Sequence, residues 1–282
     1  MRISIVTLSF NQRAYLQEAL DSVLSQSYQD LDYIVVDPGS TDGSREIIRS
    51  YSDRISTTIF EPDHGAAEGL NVGFGKATGD IYGFLNADDI LLPGSLKCVG
   101  EFFQSHPDCD MLMGNGYKID GRGRKTRHFI ARDFSVRRFF YGGTQWLQQS
   151  TFYRADAFRA VGGFNTENRT SWDAELLFDM SLRNMELLHV PGYWSAFRIH
   201  SESITGSQRL AEESRKTHAR YFRAVMGREK KSLDKLAAKF VFAYTLLTEP
   251  RGLLTRVSDR LRSVISNPKT KKLGQKHLAY RG

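Results

Sequence analysis

Apolar and polar positions along the first hundred residues switch repeatedly between two patterns. Short apolar runs bounded by turn residues lie at 2–9, 31–36, 55–60 and 81–85 and read as strands. Between them, apolar residues recur three and four positions apart. Residues 14–25 place Leu16, Ala19, Leu20, Val23 and Leu24 on one helical face, and 44–51, 66–76 and 94–104 read as further helices. Dense turn chemistry separates the elements, as in Asp37-Pro-Gly-Ser-Thr-Asp-Gly43 and Ala77-Thr-Gly79. The alternation predicts an α/β fold: a Rossmann-like, doubly wound mixed sheet, mostly parallel, with right-handed crossovers and helices on both faces.

The pattern changes after residue 110. A strand is expected at 111–119, followed by a basic segment at 120–138 carrying Arg122, Arg124, Lys125, Arg127, Arg132, Arg137 and Arg138. That segment reads as a solvated hairpin or as a cationic wall near an anionic ligand. A strand at 148–153, helices at 154–161 and 172–183, and two strands at 185–190 and 193–199 around Pro191-Gly192 complete the expected unit of 1–205, with an internal division at 110/111. A helical basic extension is expected over 206–266 and a poorly ordered tail over 267–282.

Charge sharpens that division. The net +7 splits into −6 for residues 1–205 (20 Lys+Arg, 26 Asp+Glu) and +13 for residues 206–282 (19 Lys+Arg, 6 Asp+Glu). A basic C-terminal segment of this kind meets phosphate, on membrane or nucleic acid. No base-reading element is identifiable among the charges, so nucleic acid is not an expected partner. The amphipathic run 233–247, with Leu236, Phe240, Phe242 and Leu246 among lysines, predicts docking on an anionic membrane; its alternative is a helical bundle packed on the main unit. No apolar run approaches the ~18 residues of a bilayer span. Cys98 and Cys109 lack metal-ligand spacing and read as reduced thiols. The expected location is cytoplasmic, peripheral at the inner face of the plasma membrane.

Candidate chemistry centres on GDIYGFLNADD, residues 79–89. A buried strand ending in Asp88 and Asp89 brings two carboxylates together, and they resist ionising side by side unless a cation or donors lie near. A magnesium or manganese ion carrying a diphosphate would resolve the repulsion; a solvated helix-capping loop is the plainer alternative. The turns at 7–11, 37–42 and 86–89 all fall at strand carboxyl ends and could line one crevice, where open α/β sheets bind ligands. No GxxxxGK[ST] or GxGxxG fingerprint occurs, which disfavours P-loop and dinucleotide enzymes.

Three stretches then carry a family resemblance: residues 4–44, residues 61–96, and QSTFYRADAFRAVGGFNTENRTSWDAELLFDMSLR with the later FRIHSESITG. Over residues 1–205 the chain resembles family 2 glycosyltransferases of the GT-A fold, in the branch that makes bacterial envelope polysaccharides. The resemblance implies a metal-dependent, inverting transfer of one sugar from a nucleotide-diphosphate sugar, of the UDP class, to a polysaccharide, lipid-linked or other glycan acceptor. Thr7, Phe10, Asn11, Asp37, Ser40, Asn71, Asn86, Ala87 and Asp88 are implied to bind the nucleotide sugar, with Asp37 recognising uracil. Asp88 and His200 are implied to hold Mn2+ or Mg2+, and Asp173, at the head of a helix, to act as general base. Asn86 departs from the usual carboxylate and leaves at most a neutral oxygen. The chain lacks a QxxRW signature, so single-sugar rather than processive transfer is implied. Two other readings stand beside this one: a catalytically silent GT-A-fold binding or scaffolding protein, and a sugar nucleotidyltransferase, which would carry a Gly-rich basic loop absent from LSFNQR.

Overall fold

The computed structural model describes residues 1–200 and 211–248. Strands β1 (Ile3–Leu8), β2 (Leu31–Val36), β3 (Thr57–Ile59) and β4 (Ile81–Asn86) are mutually parallel in the order β3-β2-β1-β4. Helices α1 (Arg13–Leu24), α2 (Ser44–Ser50) and α3 (Ala66–Lys76) connect them. The sheet continues from β4 into β8 (Thr151–Arg154), β6 (Met111–Asp120), β9 (Leu187–Ile199) and β5 (Ile90–Leu91), while β7 (Lys125–Phe129) pairs with β6 alone. β8 runs antiparallel to β4 and β6, whereas the long β6–β9 ladder is parallel. The sheet is mixed, its longer ladders are parallel, and it runs without a break across residue 110.

Strand alternation explains the two cores. Val6, Ile34, Val36, Tyr82, Phe84, Met111 and Met113 face one side, with α3, α6 (Ala155–Ala160) and α7 (Trp172–Leu182). Ile3, Ile5, Tyr33, Val35, Ile81, Leu85 and Leu112 face the other, with α1, α2 and α4 (Ser95–Ser105). Successive residues of a strand point to opposite faces, so a strand apolar at every position needs cover on both. Close approach of α3 depends on Gly73: a Cβ there would lie 2.6 Å from Val6 Cγ1.

Two sequence expectations are corrected. The strands expected on either side of Pro191-Gly192 form one strand, β9. Its register against β6 jumps from Met113–His189 to Asn115–Tyr193, so the proline sits in a bulge where it has no ladder hydrogen bond to donate. The strand expected from 148 begins only at Thr151, after a 3-10 turn at Gln148–Ser150. The basic segment forms the β6–β7 hairpin and then helix α5 (Val136–Tyr141).

The extension supplies α8 (Ala211–Met226) and α9 (Ser232–Thr248). Tyr221 stacks on Phe178 at 5.7 Å and Phe222 meets Phe140 at 5.2 Å, so α8 closes the core over α5 and α7. The Tyr141 hydroxyl donates to Asp234 Oδ1 at 2.9 Å and ties α9 to α5. The expected tail at 267–282 lies outside the described residues.

Candidate functional site

The carboxyl ends of β1, β2 and β4 are adjacent because those strands are hydrogen-bonded neighbours. Each ends in a short loop. After β1, the exposed ring of Phe10 (58% exposed) stands at the rim. Asn11 follows with φ 53°, a left-handed conformation that Asn tolerates. Its N–H donates to Ser40 Oγ at 2.8 Å, and its Oδ1 accepts from the Thr41 N–H at 2.9 Å. The β1 and β2 loops are thereby joined side by side.

Asp37 builds the β2 loop from inside. Its side chain has no exposure. Oδ1 accepts from the Gly39 and Ser40 N–H groups at 3.1 and 2.8 Å and from Arg45 Nε at 3.0 Å, while Oδ2 accepts the Ser40 hydroxyl at 2.6 Å. Burial pushes this carboxyl upward, but the Ser40, Arg45 and Gly39 donors outweigh burial and hold it below the usual range. In this structure the acceptor positions of the Asp37 carboxylate serve the loop.

Two other residues of the implied set have partners within the fold. Thr7 is fully buried in the central strand, its hydroxyl 2.9 Å from Tyr33 Oη. Asn71 clamps the backbone of Phe164, donating to its carbonyl at 2.7 Å and accepting from its N–H at 2.9 Å. Asn71→Ala is expected to lower unfolding free energy by about 2 kcal/mol, because two backbone groups lose their partners. Urea denaturation checks this, and stabilisation by a bound nucleotide should persist. Ala87 is buried, and its N–H donates to the Leu8 carbonyl at 2.9 Å, pinning the β4 end to β1.

Asp88 and Asp89 have different environments. Asp88 Oδ2 lies 3.0 Å from His200 Nε2, across 112 positions of sequence. Tyr15 of α1 backs the imidazole with its ring centroid at 4.8 Å. Asp89 is buried and accepts from the Arg198 N–H at 2.8 Å, Gln149 Nε2 at 2.5 Å and Asn86 Nδ2 at 3.2 Å. Burial, then repulsion from Asp88, pushes the Asp89 carboxyl up; the three donors oppose that shift. Asn86 thus has a use no carboxylate could fill, because an Asp there would face Asp89 without a proton to donate.

Arg198 holds this corner together. It is 1% exposed, and a buried guanidinium needs every donor placed. Nε donates to the Asp88 carbonyl at 2.8 Å, Nη1 to the Asp120 carbonyl at 3.3 Å and Nη2 to Glu18 Oε2 at 2.6 Å. The Tyr15 ring lies under its guanidinium at 4.8 Å. Arg198 was missed from sequence: its only signal is an arginine inside an apolar strand, and nothing there names its partners.

Asp173 sits in the first turn of α7, near the positive end of the helix dipole. Its neighbour Trp172 packs on Phe84 of β4 at 5.5 Å, two residues before Asn86. Trp146 Nε1 donates to Asp173 Oδ2 at 2.9 Å, and Gln149, three residues on, holds Asp89. One short segment therefore links the candidate base to the acidic pair. Trp194 and Trp172 are core residues; Trp146 is half-buried and serves Asp173. Ser9 was missed from sequence: one residue beyond β1, it is 2% exposed, and its hydroxyl has no hydrogen-bond partner among the described residues.

Asp88 and His200 fit a divalent cation. An oxygen and an imidazole donor already converge, and magnesium or manganese sites with bound phosphates need only one or two protein ligands. Among the described residues, no group of three His, Cys, Asp or Glu side chains could enclose a metal without help from a ligand. Both Asp89 oxygens are already engaged by N–H donors, so Asp88 is the available carboxylate.

Comparison with known proteins agrees with the architecture. S. aureus TarS 1-349 in complex with UDP-GlcNAc superimposes with a TM-score of 0.64 at 18% identity, over 87% of this chain and 72% of that one. The mannosyltransferase PcManGT from Pyrobaculum calidifontis, in complex with GDP-Man and Mn2+, gives 0.62 at 17% identity, over 99% and 79%. These likenesses establish the GT-A-like fold. By sequence, the chain is 33% identical over 138 residues to the glycosyltransferase GlyG of Streptococcus pneumoniae, covering 48% of this chain and 46% of GlyG. The chain spans about half the length of the curated relatives it matches, or less. Residues 4–162 match the family model for glycosyl transferase family 2. That match takes in more than half of the residues, and the chain belongs to glycosyl transferase family 2.

Proposed function

We propose that the protein moves one sugar, with inversion, from a nucleoside-diphosphate sugar of the UDP class to a glycan or lipid-linked acceptor at the inner face of an anionic membrane. The observation that carries this reading is the Asp88–His200 pair at the carboxyl end of β4, with its oxygen and imidazole donors 3.0 Å apart. The nucleotide lies against the rim made by Phe10, Asn11 and Ser40, with the buried Ser9 hydroxyl as an added donor. Asp88 and His200 hold Mn2+ or Mg2+. When bound, that cation neutralises charge on the departing diphosphate.

Asp173 serves as the base. The acceptor hydroxyl attacks the anomeric carbon, the bond from that carbon to the diphosphate oxygen breaks, and the hydroxyl proton passes to the Asp173 carboxylate. Trp146 fixes one carboxylate oxygen so that the other can face the acceptor. Residues 1–110 form the donor side and 111–200 the acceptor side of one sheet.

A thermal-shift panel of nucleotide sugars tests the donor class. With manganese, a UDP-sugar is expected to raise the melting temperature as its concentration passes its dissociation constant, and less so without metal. No shift with any UDP-sugar, alongside a clear shift with another nucleotide, would reassign the donor.

A further inference from the structure

Helix α9 leaves an apolar edge uncovered. Leu233, Leu236, Phe240, Tyr244 and Leu247 are 74, 50, 68, 61 and 81% exposed. Their spacings of three, four, four and three residues stack them along one side of the helix. That side is not the one packed on the protein. Asp234 is buried beneath Tyr141 and the Arg228 guanidinium, and Val241 lies against Gly143, within 3.0 Å of where a Cβ would stand.

The outward charges of α9 itself have one sign. Lys235 and Lys239 are exposed and lie to one side of the apolar row; the exposed Lys230 and Lys231 precede it, after Glu229, which pairs with Arg223 at 3.0 Å. Asp234 is the only acid in α9. It is turned inward, accepting from both Arg228 Nη groups at 2.7 and 2.8 Å and from the Lys231 N–H at 2.6 Å. The outer surface of α9 therefore offers apolar side chains and lysines and no carboxylate. In sequence, residues 249–282 add nine Lys+Arg against two Asp+Glu.

We propose that this edge seats the protein on an anionic lipid bilayer, with Leu233, Leu236, Phe240, Tyr244 and Leu247 entering the headgroup–acyl boundary and Lys235 and Lys239 reaching to lipid phosphates. An interfacial helix needs this combination of one apolar face and cationic flanks. Long lysine stems extend along apolar surface while their ammonium groups stay at the polar boundary. A second copy of the chain is a poorer occupant. Apposing two such edges would bring lysines of like charge together with no acid between them. The helix is 17 residues long, about 25 Å at 1.5 Å per residue, and is suited to lying in the interface.

The edge also lies on the acceptor side of the molecule. Helix α9 rests on α5, whose Phe139 meets Trp146 at 6.3 Å, and Trp146 holds Asp173. This inference deepens the proposed function by placing its acceptor end at a lipid surface, but binding itself does not depend on sugar transfer.

Sedimentation with vesicles tests it on the full chain. Phosphatidylcholine vesicles containing phosphatidylglycerol should pull down the protein at low salt, and pure phosphatidylcholine vesicles should not. Raising salt should weaken binding as charges are screened. The double variant Leu236→Ser/Phe240→Ser and the double variant Lys235→Glu/Lys239→Glu should each bind roughly tenfold more weakly. These side chains are exposed, so melting temperature should hold in both. No binding of the native chain to anionic vesicles at low salt would overturn the proposal, as would binding by both variants as tight as that of the native chain. A concentration-dependent dimer that Leu236→Ser/Phe240→Ser abolishes would assign the edge to a second copy and overturn it as well. Donor-induced thermal stabilisation, measured on the same preparations, reports on the sugar-transfer reading separately.

Discussion

Replacing Asp173 with Asn is expected to lower sugar transfer by about 10²–10⁴-fold while donor binding stays intact. The variant keeps the size of the side chain, and its amide oxygen can still accept from Trp146 Nε1, which now lies 2.9 Å from Asp173 Oδ2. The amide cannot take a proton from an acceptor hydroxyl. The competing role is structural: an acid in the first turn of α7 stabilises the helix through its dipole. That interaction is worth about 0.3–1 kcal/mol, so its loss should move the melting temperature slightly. The N-cap position belongs to Ser171, so Asp173 is not the residue that ends the helix. A structural acid predicts lower stability and nearly native turnover; a base predicts the reverse. Donor affinity, melting temperature and transfer rate, measured on this one variant, separate the two. Near-native transfer would remove Asp173 from the mechanism.

Asp88→Asn is expected to abolish metal-dependent donor binding, a loss of at least about 10²-fold, since direct metal ligands matter more than the 10–100-fold attributed to their supporting residues. Asp89 cannot substitute, because its oxygens are committed to Arg198, Gln149 and Asn86. Calorimetric titration of manganese with a UDP-sugar reads the effect directly. Unchanged manganese-dependent affinity would sink the metal role of Asp88. Asn86→Asp tests the same corner from the other side. It adds a possible ligand but sets a carboxylate against buried Asp89 in place of an N–H donor. Without metal the variant should melt lower than the native protein, and manganese should restore part of the difference.

Much of the sheet was legible from periodicity because strands buried on both faces must be apolar throughout. β2 and α3 fall where the pattern placed them, and the ends of β1, α1 and α7 shift by a residue or so. The half after residue 110 was harder. α5 was hidden in a basic run, although Val136, Phe139 and Phe140 already carried the helical spacing. Pro191-Gly192 looked like a break because local chemistry cannot show that a long parallel ladder will absorb a bulge. The site divides in the same way. An acidic pair after a strand signalled chemistry, but its juxtaposition with His200 follows from the return of β9 to the sheet and came only through family resemblance. The structural duties of Thr7, Asp37 and Asn71 were invisible, since their partners Tyr33, Arg45 and Phe164 are distinguished by the fold rather than by residue type. Arg198 and Gln149, which hold Asp89, carry no motif of their own.

The central claim is metal-dependent sugar transfer at the Asp88–His200 corner, and release of UDP from a UDP-sugar measures it most directly. In manganese, with a glycan acceptor, the native protein should release UDP from at least one UDP-sugar. Release should fall to background in chelator and in Asp88→Asn. Undiminished release in chelator, or a folded protein that binds UDP-sugars and releases UDP from none of them, would contradict it.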